Sequence, residues 1–190
     1  SHQLPFWLLN MNVIGTVFTK KGELGDFEWM IQSGQYEDAL FLFNEDETRH
    51  HWTKAGRGNA VIRKYNHLAM DRPRSAAIVT GNSEGGYTAL TPEVRDKIDG
   101  CFHIIRAICR RHGYTTIYYS ADEPNGRLGT SIFQVHSDVL DYITQQIRNL
   151  GVTPVVPPIT EEAARAIQQR TDDVNSVKTM EAALSASYDA

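Results

Sequence analysis

The sequence predicts a layered α/β domain, and three observations carry that reading. Short segments rich in β-branched and aromatic residues alternate with helical segments over about 150 residues. One of them, Ala39-Leu40-Phe41-Leu42-Phe43, is an unbroken apolar run bounded by polar residues, the pattern of a strand buried on both faces. A long segment from Thr91 to Gly113 has helix signals at both ends and an apolar stripe between them.

In chain order, residues 12–19 form the first strand, Asn-Val-Ile-Gly-Thr-Val-Phe-Thr. Gly22 and Gly25 mark a turn, and a short helix is expected over 27–31, broken at Ser33-Gly34. The buried strand follows and ends in Asn44. A charged link, 45–53, leads to Lys54-Ala55-Gly56-Arg57-Gly58-Asn59 and then to a helix start at Ala60. Residues 67–74 read as loop, 76–80 as a strand, and 81–86 as a second glycine loop. The long helix is capped by Thr91, has Pro92 at its first position and Glu93 near its positive end, and stops at Gly113. Its stripe is Val94, Ile98, Cys101, Phe102, Ile105, Ile108 and Cys109. Residues 115–120 form a strand, 121–130 a third loop with glycine, and 137–150 a helix with apolar Val139, Leu140, Ile143, Ile147 and Leu150. A last strand is expected over 152–156. Pro154, Pro157 and Pro158 then mark a boundary between a domain over 12–156 and an extension over 157–190, helix-prone through Gln169 and separable from the fold.

Composition narrows the class. The 190 residues are 41% hydrophobic and 22% charged, as expected of a folded chain. The formal charge of −4 excludes a global basic field for a nucleic-acid duplex. Residues 160–190 hold six acids and three bases, so most of the excess lies in the extension. Cys101 and Cys109 sit two turns apart on one helix, ~12 Å at 1.5 Å per residue, too far to bridge. The expectation is a reduced, intracellular, cytoplasmic protein. No apolar run approaches the ~20 residues of a membrane span, so no membrane partner is expected.

Three loops with glycine leave the C-terminal ends of strands. In open α/β sheets that edge is where ligands bind, and glycine backbones at a helix start suit an anion. Ordinary strand-to-helix turns are the alternative for each loop.

Gly25-Asp26-Phe27, followed by Asp38-Ala39 opening a buried strand that ends at Asn44 and leads to a glycine loop and helix, resembles the macro domain, the ADP-ribose-binding fold. The long helix, the strand 115–120, the loop Asn125-Gly126-Arg127-Leu128-Gly129-Thr130 and the final helix match its C-terminal half. The layout is closest to the branch that removes ADP-ribose from protein carboxylates. The resemblance covers about residues 12–156. It implies a three-layer domain, a mixed sheet with helices on both faces, and the proline boundary adds a helical or disordered C-terminal extension. It also implies ADP-ribose or a related nucleotide as ligand, free or on an ADP-ribosylated protein, with no cofactor. Turnover, if present, would be ADP-ribosyl hydrolysis or removal of phosphate from ADP-ribose phosphate. The chain departs from the family in three places. The paired asparagines are reduced to Asn44, the link from Asn44 to Gly56 is long, and Thr130 and Ser131 stand where the carboxylate-linked hydrolases place an aspartate.

The candidate binding residues are therefore Asp26 for an adenine amino group, Asn44 for a ribose, and Gly56, Gly58, Gly126 and Gly129 for diphosphate through their amides. Lys54 adds charge, and Asn59 and Thr130 complete the two loops. A turn residue, a strand end and tight turns are the corresponding structural roles. No catalytic residue is assigned, although Glu45, Asp46 and His50 are the nearest groups for acid–base work. His50-His51 with Glu47 lacks a dependable ligand spacing, so no metal site is assigned. Two rivals remain. One is a non-catalytic interaction protein whose extension contacts partners. The other is a single-strand nucleic-acid binder using Lys54, Arg57, Arg63 and Lys64, with Trp52 and Tyr65 for stacking.

Overall fold

The computed structural model describes residues 11–130, 133–152 and 161–189. Five strands form one sheet: β1 (Asn12–Thr16), β2 (Ala39–Asp46), β3 (Ser75–Asn82), β4 (Gly85–Gly86) and β5 (Thr116–Ser120). Their order across the sheet is β1-β5-β2-β3-β4. The first four in that order run parallel, and only β4 is antiparallel, as a hairpin partner of β3.

β2 is central. Its residues 39–43 are buried, and successive side chains alternate between two cores, as the strand period requires. On one face Leu40 and Leu42 join Ala76, Ile78, Ile117 and Tyr119 beneath α2 (Pro92–His112) and α3 (Ser137–Leu150). On the other, Ala39, Phe41 and Phe43 join Tyr118, α1 (Phe27–Gln32) and a 3-10 helix over Gly58–Tyr65. The fold is thus α/β, with a mixed sheet and helices on both faces. The Phe41 and Tyr118 rings stack across β2 and β5, with centroids 5.1 Å apart.

The α2 boundaries follow the sequence closely. The Thr91 hydroxyl accepts from the Val94 N–H at 3.1 Å, and Gly113 closes the helix at φ +70°. The stripe is buried, with Cys101 half-buried, and both cysteines are free. Burial raises both thiol pKa values, to about 12. On one flank the Tyr142 hydroxyl of α3 donates to Asp99, and the Arg95 guanidinium lies 4.9 Å over the Tyr142 ring.

The opposite flank, on which a helical wheel places Ile104 and Ala107, faces α4 (Glu161–Asp189). α4 extends twenty residues beyond the expected end at Gln169. The stretch contains neither glycine nor proline, and i,i+4 bonds from Gln168 to Asp172 and from Gln169 to Asp173 support it. The expected strand over 152–156 and the proline boundary lie largely outside the described residues. Among those residues, no helix is long and apolar enough to cross a membrane.

α4 also reaches His67 in the loop between the 3-10 helix and β3, where the His67 Nε2 lies 3.9 Å from a Glu181 oxygen. Burial, then the charges of Lys178 and His50, lower the His67 pKa from 6.5 to about 4. Burial raises that of Glu181. Below pH 6.5 the unfolded chain binds a proton that folded His67 refuses, so the His67 contribution to stability falls as pH drops and levels off near pH 4, and the raised Glu181 pKa offsets part of it. The loss approaches about 3 kcal/mol at 1.36 kcal/mol per pH unit. Denaturant melts across this window should show the slope in the parent and a flatter profile in His67→Gln; parallel profiles would remove His67 as the cause.

Candidate functional site

Because β1, β5, β2 and β3 are parallel, their C-terminal ends share one edge, and four connections leave it. Glycine in β1 lets two of the strands lock a loop in place. A Cβ on Gly15 would sit 2.5 Å from the Tyr119 ring, so only glycine lets that ring cross β1. The Tyr119 hydroxyl then donates to the Gly126 carbonyl at 2.7 Å. The Gly15 N–H donates to Asn125 Oδ1 at 3.0 Å, and the Asn125 N–H donates back to the Gly15 carbonyl at 2.9 Å. Asn125 takes φ +57°, a conformation asparagine tolerates. The loop after β5 is therefore a pinned structure. Gly15 and Tyr119 were not among the sequence candidates; a glycine inside a β-branched strand was the available signal.

Asn44 joins this loop to the one after β2. Its side-chain amide donates to the Gly129 carbonyl at 2.8 Å, and its backbone N–H donates to Asn59 Oδ1 at 3.1 Å. Three sequence candidates from two distant loops thus meet at one point.

The glycines divide in their roles. The Gly56 N–H donates to the Ala60 carbonyl, the Gly126 N–H to Glu123 and the Gly129 N–H to Ser120, at 2.8–2.9 Å. In this conformation those three amides serve their own loops, which corrects the expectation that all four face a ligand. Gly58 opens the helix, where the first amides have no intrahelical partner. That helix is also not the α-helix expected from Ala60. It is 3-10 throughout, so the aligned dipole invoked for an anion is weaker there. The glycines at 81–86 form the tight β3–β4 turn, in which a Cβ on Gly81 would meet the Gly85 carbonyl oxygen at 2.3 Å. Close backbone approach explains Gly81 and Gly86, and φ +126° explains Gly85.

Asp26 caps α1, accepting from the Trp29 N–H at 3.2 Å, and its second oxygen accepts from the Gly22 N–H at 2.9 Å. The preceding Gly25 has φ +102°, and a Cβ there would meet the Val17 carbonyl oxygen at 2.4 Å. The structural role of Asp26 is thus secured by two bonds, and any ligand contact is additional to it.

The charged link holds a buried ion pair. The Arg63 Nε and Nη2 each donate to a Glu45 oxygen at 2.6 Å, and both residues are 3% exposed. Arg63 also donates to the Lys54 carbonyl at 3.2 Å and lies 5.6 Å over the Trp52 ring. Burial raises the Glu45 pKa, and the Arg63 hydrogen bonds and charge oppose that. Glu45 is therefore a strut, unsuited to proton transfer. Asp46 accepts from the Thr48 N–H and hydroxyl at 2.8 and 2.7 Å, capping a 3-10 turn over Glu47–Arg49. The His50 ring meets the Glu47 carbonyl, and the His50 and His51 rings lie edge-on, 5.9 Å apart. Asp122 and Glu123, in the loop after β5, are exposed carboxylates at the edge that the sequence reading passed over.

Of the four bases considered for nucleic acid, Arg63 is buried on Glu45, and Lys64 pairs with Glu28 at 2.6 Å. The Tyr65 hydroxyl accepts from Gln32, and the Lys64 amine lies 5.4 Å over the Tyr65 ring. Lys54, Arg57 and Trp52 remain exposed, and the Arg49 guanidinium lies 5.0 Å over the Trp52 ring. Comparison of the chain with protein-family models, curated proteins and solved structures finds no match.

Proposed function

We propose that the C-terminal edge of the parallel strands binds ADP-ribose or a related nucleotide, and that the chain is a divergent macro-type domain. The observation that carries this is the Asn44 junction, which holds the loop after β2 against the loop after β5. Those are the two loops that the macro resemblance assigns to ribose and diphosphate. Exposed Lys54 and Arg57, with the first amides of the helix at Gly58, supply positive charge and donors beside that junction. The internal use of the Gly56, Gly126 and Gly129 amides shifts the burden of diphosphate contact to that side.

Calorimetric titration with ADP-ribose should give micromolar binding, on the order of −8 kcal/mol. Gly129→Glu should abolish it. Gly129 has no left-handed φ, and a Cβ there first meets the Ala121 carbonyl carbon at 3.3 Å, so this variant folds with a small adjustment. Asp26→Ala should weaken binding, measured well below its melting temperature because the α1 cap is lost with it. No heat at millimolar ADP-ribose would sink the reading. Hydrolysis of an ADP-ribosyl bond is the further step of this proposal. Thr130 stands at the family's aspartate position, so release of ADP-ribose from modified protein decides between hydrolase and reader.

A further inference from the structure

We propose a second anion site, at the opposite edge of the molecule, in the groove between the C-terminal end of α2 and α4, suited to a phosphate-rich ligand such as a di- or triphosphate. The groove encloses about 590 Å³ and is lined by Arg110, Arg111, Asn175, Lys178, Thr179 and Ala182. α2 ends at Gly113, immediately before β5 begins, so this end of α2 lies at the N-terminal edge of the strands, away from Asn44.

Three cations meet in a chain of net charge −4. None of them forms an ion pair with a described carboxylate. Arg110 and Arg111 have an ordinary reason to be there, since basic residues complement the negative end of a helix. Lys178 has no such reason. It sits in the interior of another helix and lines the same groove as the two guanidinium groups. Burial, then the charges of Arg111 and Arg110, lower its pKa, so its position costs free energy as the site stands. The nearest acid on the same face of α4, Glu181, is directed to His67 instead.

The Asn175 amide adds a neutral donor along α4, while the Thr179 hydroxyl donates to the Asn175 carbonyl at 3.0 Å. Guanidinium forks match phosphate oxygens in pairs, and a diphosphate would balance three cations where a lone carboxylate would not. An occupied site would also tie α4 to α2.

The test titrates tripolyphosphate into the full chain at constant ionic strength, reading melting temperature and amide exchange over 174–182. The expected result is a saturable rise in melting temperature with slowed exchange. The midpoint should weaken at least ten-fold in Arg111→Gln/Lys178→Gln and stay unchanged in Gly129→Glu. Both replaced side chains lie on the groove outside the cores, so circular dichroism of the double variant should match the parent. A shift that never saturates, a double variant that responds like the parent, or a response lost in Gly129→Glu would each overturn the site. The last would place the anion at the Asn44 edge instead.

Discussion

Arg63→Ala is expected to destabilise the fold by about 3–5 kcal/mol, because it strips the partner from a carboxylate that is 3% exposed. Glu45 would be left in the interior with only the Asp46 N–H at 3.0 Å to oppose its desolvation. The same substitution removes the bond to the Lys54 carbonyl and the guanidinium over Trp52, so the loop at 52–58 loses one of its anchors. Urea unfolding measures the first effect, and faster proteolysis at 52–58 measures the second. Gly56 belongs to this arrangement, since a Cβ there would lie 2.7 Å from an Arg63 nitrogen. Replacing both partners by apolar residues, Glu45→Leu with Arg63→Met, should recover most of the stability, because buried pairs often contribute little beyond their own desolvation. A loss under 1 kcal/mol in Arg63→Ala would mean that water reaches Glu45.

Ile105→Ala should cost about 2–5 kcal/mol. Ile105 is fully buried, in the core it shares with Leu40, Leu42, Ile78, Ile98, Ile108 and Ile117. Truncation leaves a cavity under the middle of a 21-residue helix, where neither end can move to fill it. His103, on the exposed face of the same helix, is the control: His103→Ala should stay within about 0.5 kcal/mol. Chemical denaturation compares the two. Equal effects would mean that the register of α2 on the sheet differs from the one described.

Both predictions bear on what was legible in the sequence. Ile105 was readable because helical periodicity is a local signal, and so was the whole of α2, from the Thr91 cap to Gly113. The five apolar residues 39–43 likewise revealed the central strand. Arg63 was counted among the bases of the nucleic-acid alternative, because nothing within a few residues shows that Glu45 lies across from it. The glycines at 56, 126 and 129 were readable as backbone close to something. In the structure the nearest contacts belong to the protein itself: Arg63, the turn at Glu123 and the Asn44 amide.

By itself the sequence determined the α/β class, the bounds of α2 and α3, the burial of β2 and the gathering of three glycine loops at strand ends. Periodicity, capping residues and β-branched runs act over a few residues and need no distant partner. Only the tertiary structure decided which strands are neighbours, and hence that Asn44 meets Gly129, 85 residues away. It also decided that Gly15 yields to Tyr119, that residues 58–65 wind as a 3-10 helix over the Phe41 and Phe43 core, and that Lys178 shares a groove with Arg110 and Arg111. Such contacts form between segments far apart in the chain, where burial and charge act through space and leave no periodic mark in the sequence.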